Sequence, residues 1–177
     1  MIFTRLYLKI NGIFQVLEKW IAVVLISSIV IIVFASTFSR YVLNEPLFGA
    51  DRLATYIMVS LGFLGFQIAT GKMRHIEIEF IKSRVPLKVK AIMNMLVCLL
   101  ACVFLLRFSW FGYELVLQSK ELEDKDLVLD ISLWKILAFI PFTFLISALR
   151  YFLTIFLWLE VFQGKRKEEE FVTKQLI

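Results

Sequence analysis

Long uncharged apolar runs, separated by short charged segments, dominate the chain. The first run covers residues 20–38 and is bounded by Lys19 and Arg40, and the second covers residues 53–70. A helix rises about 1.5 Å per residue, and the hydrocarbon core of a bilayer is about 30 Å thick. Runs of this length therefore predict two membrane-spanning helices.

Two further runs follow in the second half of the chain. The third covers residues 91–117, is interrupted by Arg107, and carries several aromatic residues near its far end. The fourth covers residues 131–159 and contains Pro141, a residue that membrane helices tolerate when neighbours satisfy the freed carbonyl. The pattern as a whole predicts an all-α membrane protein with four transmembrane helices.

The segments outside the four runs are short. Apolar residues recur at helical spacing through residues 1–19, which predicts an amphipathic helix lying in the membrane interface or running into the first span. A signal peptide is the rival interpretation, but the charged part is too long for one. We therefore expect an interfacial helix at 1–19, a transmembrane domain at 20–160 and a charged tail at 161–177.

Composition supports a membrane location. The chain is 60% hydrophobic, whereas soluble domains are roughly 45–50% apolar. Its net charge of +5 could suggest nucleic-acid binding, but the Lys and Arg residues lie at the ends of apolar runs and not along one soluble face. The basic residues are therefore interpreted as determinants of membrane topology, with membrane lipids and not nucleic acid as their surroundings.

The distribution of basic residues predicts the orientation. The N-terminal segment, the 71–90 connection and the tail share one side and hold three, six and four Lys or Arg residues. The opposite side holds fewer basic residues, and its 121–130 turn is acidic. Because loops rich in Lys and Arg stay on the cytoplasmic side, both termini are expected in the cytoplasm and the acidic turn outside.

Motifs for catalysis or cofactor binding do not stand out. The chain lacks a phosphate-binding glycine loop and a nucleophile elbow, so we expect neither enzyme activity nor a cofactor. His75 is the only histidine, which excludes paired haem ligands and leaves it as an interfacial polar residue or a functional one. Cys98 and Cys102 lie inside an apolar run, where they offer no disulfide framework or metal-ligand spacing.

Among the ionisable residues within the apolar runs, Arg107, Glu114 and Arg150 are candidates for function. Placing a charge at the bilayer centre costs at least about 2.5–3.5 kcal/mol. Arg107 and Glu114 lie two turns apart on one helix face, where they can pair with other helices or with a second subunit, or Arg107 can reach water along its stem. Arg150 lies deeper in its run, and we expect it to be buried or partnered.

Small residues mark one face of the second span. Gly62 and Gly65 are flanked on roughly the same side by Ser60 and Ala69. Small residues let helix backbones approach closely, although glycine is also common in membrane helices generally. This face is a candidate for packing against another helix.

An ordered set of short motifs covers residues 39–76. Ser39-Arg40-Tyr41 ends the first span, Pro46-Leu47 lies in the following loop, and the glycine-bearing second span leads to Lys72-Met73-Arg74-His75-Ile76. In this order the motifs resemble the small membrane subunit, of the DctQ type, of tripartite ATP-independent periplasmic (TRAP) transporters. One departure is that Asp51-Arg52 stands where that family usually has two acidic residues. One acid is kept as Asp51, but Arg52 replaces the second, so a subunit contact made by the second acid in that family would differ in this chain.

The resemblance implies a non-catalytic scaffold in a bacterial inner membrane. Its partners would be a large DctM-type subunit, which carries an organic acid with sodium ions, and a DctP-type periplasmic binding protein. Together with the predicted topology, this makes Arg40, Asp51 and Arg52 candidates for an outer rim shared with the acidic turn. The alternative is a stand-alone four-helix protein such as a quinone-linked redox enzyme, which would need paired cysteines at a periplasmic helix end.

Overall fold

The computed structural model describes residues 2–71 and 86–163, with the backbone alone for residues 2–10 and 87. Five α-helices carry this part of the chain: α1 Ile2–Phe38, α2 Ala50–Gly71, α3 Leu87–Glu121, α4 Leu133–Leu137 and α5 Phe139–Phe162. Four segments of the described chain are long and apolar enough to cross a membrane, namely Asn11–Leu43, Ala50–Gly71, Lys88–Glu121 and Leu133–Phe162. The predicted all-α architecture with four spans is therefore confirmed, and the side on which the termini lie stays a prediction.

Helix α1 continues without a break through residues 19 and 20. It then widens into a single π-helical turn, Ser39–Leu43, which ends at Asn44 in the left-handed conformation (φ 55°). The Asn44 N–H donates to the carbonyl of Ser39, which closes the turn. Because asparagine tolerates this conformation better than most residues, the chain reverses here toward α2.

The long helices form an open row in the order α1, α2, α5, α3. Helix α1 packs against α2, α2 against α5, and α5 against α3. The first pair is antiparallel, because the hydroxyl of Ser36 lies near Asp51 at one end while the Gln15 amide donates to the Gly71 carbonyl at the other. A row, unlike a closed bundle, leaves broad helix faces open to the surroundings.

The best-packed part of the core lies between α3 and α5. Cys98, Cys102 and Leu105 of α3 are buried against Ala148 and Tyr151 of α5. An aromatic group continues this core toward α2, with Phe144 of α5 at its centre and the ring centroids of Phe63, Phe66 and Phe108 at 5.7, 5.7 and 5.8 Å from it. Three of the four spans therefore share one apolar core.

Pro141 lies in the first turn of α5, just after a break at Ala138 that separates α4 from α5. A proline is tolerated in the first turn because its missing N–H would have no partner in the helix there. Its carbonyl accepts a hydrogen bond from the hydroxyl of Ser109 at 3.0 Å, and Gly112 of α3 leaves room for its ring. The proline thus sets the start of the second helical piece in the fourth span.

Candidate functional site

A buried polar layer joins three of the four spans. It consists of Glu18 from α1, Gln67 from α2 and Arg150 from α5, which are only 3%, 4% and 6% exposed. The Arg150 guanidinium donates through Nη2 to Glu18 Oε1 at 2.6 Å and through Nη1 to the Gln67 carbonyl at 2.7 Å. The Gln67 side chain donates to the same Glu18 oxygen at 2.8 Å. Each helix therefore contributes a group that the other two bind.

Smaller polar groups extend this layer. The Gly71 carbonyl at the end of α2 accepts a hydrogen bond from Gln15 at 2.7 Å and a longer one from Asn11 at 3.5 Å. The Thr70 hydroxyl donates to the Gln67 carbonyl and lies 3.2 Å from the hydroxyl of Ser147. The layer thus reaches from two turns of α1 to the middle of α5.

Gly71 makes space for the arginine. A Cβ atom at this position would lie 2.8 Å from Arg150 Nη1, closer than real Cβ contacts allow, and 3.3 Å from Arg150 Cζ, which is tighter than most of them. A glycine at the end of α2 therefore lets the guanidinium approach the backbone and bind the Gln67 carbonyl.

Helix α1 turns its polar face inward and its apolar face outward. Asn11 and Glu18 are buried against the rest of the chain, whereas Ile13, Leu17 and Trp20 are 61%, 54% and 68% exposed. In a soluble protein the apolar face of an amphipathic helix would face the core. In a bilayer the same face can lie against lipid tails or another membrane helix, and polar groups pair inside the protein.

Sequence reasoning missed two residues of this layer, Glu18 and Gln67. Glu18 directly precedes Lys19, the residue that bounds the first apolar run, and so lies just outside that run. The available signal was the spacing of Asn11, Gln15 and Glu18, which places three polar side chains on one helix face. The candidate Arg150, by contrast, lies at the centre of the layer.

A second polar group lies at the opposite end of α1 and α2. Arg40 and Asp51 form a salt bridge of 3.2 Å, and both side chains are largely exposed, at 55% and 76%. The hydroxyl of Ser36 adds a long contact of 3.5 Å to the same carboxylate. The structure therefore brings the candidates Arg40 and Asp51 together, in an exposed pair of the kind that contributes at most about 1 kcal/mol.

The acidic turn is organised around Asp126. The Tyr56 hydroxyl of α2 donates to Asp126 Oδ2, and the amides of Val128 and Leu129 donate to Oδ1 at 2.8 and 2.9 Å. The hydrogen bond from Tyr56 is the main cause that holds the pKa of Asp126 below its ordinary value. The two amides and the positive charge of Arg52 act in the same direction, while burial opposes them. The turn is thereby tied to α2.

Gly49 of the α1–α2 loop lies against the acidic turn. It adopts a positive φ of 82°, and a Cβ atom there would lie 2.6 Å from Leu129 Cδ2. We call the Arg40–Asp51 pair, Arg52 and the Asp126 turn the outer rim. The hypothesis from the sequence names the same residues, and both the role of the rim and the side on which it lies stay predictions.

The remaining candidates lie apart from both polar groups. Arg107 and Glu114 are exposed on α3, with the guanidinium carbon 5.3 Å from the Phe111 ring centroid and Glu114 accepting a hydrogen bond from Trp110 at 2.8 Å. Gly62 and Gly65 face open space, since a Cβ atom at either would meet nothing within 4 Å. His75 lies outside the described residues. Within the part of the chain that the structure describes, no cluster of His, Cys, Asp or Glu could hold a metal ion.

A comparison with protein families decides which kind of protein has this arrangement. The family model described as "Tripartite ATP-independent periplasmic transporters, DctQ component" matches residues 29–161, which include the whole of α2, α3 and α4. The chain belongs to the DctQ family. This DctQ protein is therefore a membrane component of a transporter family, and the resemblance seen in residues 39–76 is confirmed.

Two relatives from Haemophilus influenzae agree with this assignment. The chain is 34% identical over 96 residues to the "Sialic acid TRAP transporter permease protein SiaT" of strain 86-028NP, a match that covers 54% of this chain and 16% of that protein. It is 26% identical over 95 residues to a "Putative TRAP transporter small permease protein" of strain ATCC 51907 / DSM 11121 / KW20 / Rd, covering 50% of this chain and 57% of that one. The chain thus spans only part of the length of each relative.

Proposed function

We propose that this DctQ chain is the small, non-catalytic membrane subunit of a TRAP secondary transporter and serves as a scaffold for the large transport subunit. The observation that carries the proposal is the family match over residues 29–161. The structure supports a scaffold because the Glu18–Gln67–Arg150 layer ties three helices into one unit.

The open sides of the helix row support a partner in the membrane. Large apolar side chains on α1 and α3 are strongly exposed, for example Phe34 at 70% and Phe104 at 65%. Extended apolar surface of this kind marks a lipid-facing or protein-binding surface. A row of helices offers far more of it than a closed bundle would.

The partners in this proposal are a large DctM-type subunit and a periplasmic DctP-type binding protein. The large subunit would couple substrate movement to sodium ions in a bacterial inner membrane. The binding protein would approach the outer rim, which requires both termini of this chain to be cytoplasmic. Membrane lipids would cover the helix faces that the large subunit leaves free.

The substrate in this proposal is an organic acid: a dicarboxylate, a sugar acid or sialic acid. The name of the relative that is 34% identical contains sialic acid, which makes that acid the first to test. The alternative of a quinone-linked redox enzyme receives no support. Cys98 and Cys102, on which it depended, are buried between α3 and α5.

Reconstitution tests the proposal. Proteoliposomes would contain the large subunit from the same gene neighbourhood, with or without this chain, and the purified binding protein would be added outside. A dicarboxylate, a sugar acid and sialic acid would each be supplied in labelled form. With an inward sodium gradient, we expect uptake of one of these acids, and only when this chain is present. Equal uptake without this chain, or failure of the large subunit to purify with it, would contradict the proposal.

A further inference from the structure

One side of α3 forms the border of the helix row. The residues that pack against α5, such as Cys98, Cys102 and Leu105, lie on one face of α3. The opposite face is formed by five exposed residues, which we call the α3 edge: Phe104, Arg107, Trp110, Phe111 and Glu114. Arg107 and Glu114 are two turns apart and so share this face, roughly 10.5 Å from each other along the axis.

Arg107 lies near the middle of its long helix. At about 1.5 Å per residue, it is roughly 21 Å from Glu121 at one end and roughly 25 Å from Lys90 toward the other. Arg107 lies within the segment Lys88–Glu121, which is long and apolar enough to cross a membrane, and charges inside such segments almost always face a protein partner or a water-filled cavity. Within the described residues, Arg107 makes a cation–π contact with the ring of Phe111.

Glu114 is likewise exposed on α3, two helical turns from Arg107 toward the Glu121 end of the helix. Its carboxylate accepts one hydrogen bond, from Trp110 on the same helix. A carboxylate can accept several more. The aromatic residues around the two charges, Trp110 and Phe111, are themselves 59% and 53% exposed. The α3 edge therefore combines two charged side chains that have unused hydrogen-bonding capacity with a large exposed apolar surface.

We propose that the α3 edge is the docking surface for a membrane helix of the large transport subunit. That helix would present a hydrogen-bond acceptor, either a carboxylate or a free carbonyl, at the depth of Arg107. It would present a donor at the depth of Glu114. This inference rests on the proposed function, since it takes the large subunit as the occupant, and it adds the face that binds it.

Charge complementarity argues against a second copy of this chain as the occupant. Two copies in one membrane are related by an axis along the membrane normal, so identical residues lie at the same depth. Arg107 would then face Arg107, and Glu114 would face Glu114, in surroundings where like charges repel strongly. The surface thus fits a partner with a different sequence.

Photo-crosslinking in the assembled complex tests this assignment. A benzophenone amino acid would replace Phe104 or Phe111 on the α3 edge, and Phe34 on α1 as a matched control of similar exposure. We expect crosslinks to the large subunit from both edge positions, at least fivefold stronger than from Phe34. Crosslinks between two copies of this chain, or stronger crosslinking from Phe34, would overturn the inference.

Co-purification keeps the two proposals distinguishable. If the unsubstituted chain does not purify with the large subunit, the proposed function fails and the α3 edge fails with it. If it does purify with the large subunit but neither edge position crosslinks, the assignment of the surface alone is wrong.

Substitution of the charge gives an independent measurement. Arg107→Leu is expected to reduce the amount of large subunit that co-purifies by at least tenfold, and Arg107→Lys is expected to retain most of it. The isolated Arg107→Leu chain should keep its helix content and melting temperature, because the side chain is exposed. Unchanged co-purification of Arg107→Leu, measured beside Lys88→Leu as a control at an exposed charge near the start of α3, would contradict a role for Arg107 in docking.

Discussion

At the scale of single residues, Arg150 makes the polar contacts that join α5 to α1 and α2. Its guanidinium is planar and has five N–H donors, which lets it bind a carboxylate on α1 and a backbone carbonyl on α2 at the same time. A lysine would have one nitrogen for both tasks. The burial of Arg150 followed from its position in an apolar run, but the identity of its partners did not.

Breaking the buried ion pair on one side should destabilise the protein strongly. Arg150→Met leaves the Glu18 carboxylate buried without its positive partner, and such losses amount to about 3–5 kcal/mol. Unfolding by SDS titration in detergent, followed by the fluorescence of the four tryptophans, measures the change.

Two further variants make this prediction specific. Arg40→Met, at the exposed Asp51 pair, should lower stability by less than about 1 kcal/mol. The double variant Glu18→Leu/Arg150→Met should be less destabilised than the sum of the two single changes, because no buried charge remains unpaired. Additive effects would show that the pair does not act as a unit.

At the scale of elements, the hydrophobic pattern located the spans better than it located the helix ends. The second run was predicted at 53–70, and α2 covers Ala50–Gly71; the third was predicted at 91–117, and α3 covers Leu87–Glu121. The pattern reports which residues enter the hydrocarbon core. A helix can continue past that boundary, because lysine and glutamate are good helix formers in water.

The acidic turn shows how one side chain can organise a loop. Asp126 accepts two backbone amides and a tyrosine hydroxyl, so its carboxylate supplies acceptors that the turn itself lacks. Sequence reasoning described residues 121–130 as a polar, acidic turn. It could not tell which of several acids held the structure, since that depends on Tyr56 being brought close from α2.

The acidic turn should loosen in acid. The folded state lowers the pKa of Asp126, so the ionised form stabilises the turn. This contribution is complete above the ordinary carboxyl pKa of about 3.9 and is lost as the pH falls through the lower value in the folded state. Hydrogen exchange at Val128 and Leu129, corrected for the intrinsic rate at each pH, should show falling protection over that range.

Matched amide variants separate this effect from general acid unfolding. Asp126→Asn should reduce the protection of the same amides at pH 7 and remove most of its dependence on acid pH. Glu121→Gln, at the end of α3, should behave like the unsubstituted chain. Full protection of Val128 and Leu129 in Asp126→Asn would contradict the assigned role of the carboxylate.

At the scale of the whole molecule, the described helices form a row that combines an apolar core with a buried polar layer. The polar layer lies between α1, α2 and α5, while the apolar core lies between α3 and α5. Helix α1 is therefore held to the row largely by polar contacts, and its outer face stays apolar. This arrangement leaves wide apolar surfaces exposed.

The orientation in the membrane can be measured on the same arrangement. Leu127 at the tip of the acidic turn is 99% exposed, and Lys82 belongs to the predicted cytoplasmic connection. In a chain with Cys98→Ala and Cys102→Ala, an impermeant maleimide added to intact cells should label Leu127→Cys and leave Lys82→Cys unlabelled, since basic loops stay inside. Labelling of both variants after permeabilisation serves as the control, and the reverse pattern in intact cells would overturn the topology.

The sequence by itself determined the class of protein, the number of spans and the family. Each of these depends on properties that accumulate along the chain: apolar runs long enough for a bilayer, and short motifs in a fixed order. These properties can be recognised without knowing which helices are neighbours.

Only the tertiary structure decided the order of the helices and the partners of the charges. Glu18 and Arg150 are far apart in the sequence and meet because α1 and α5 both pack beside α2 near its end at Gly71. Arg107 has a similar sequence environment to Arg150, yet it lies on the exposed edge of the row. The physical reason is that hydrophobicity drives a helix into the bilayer but does not choose its neighbours, whereas packing and paired polar groups do.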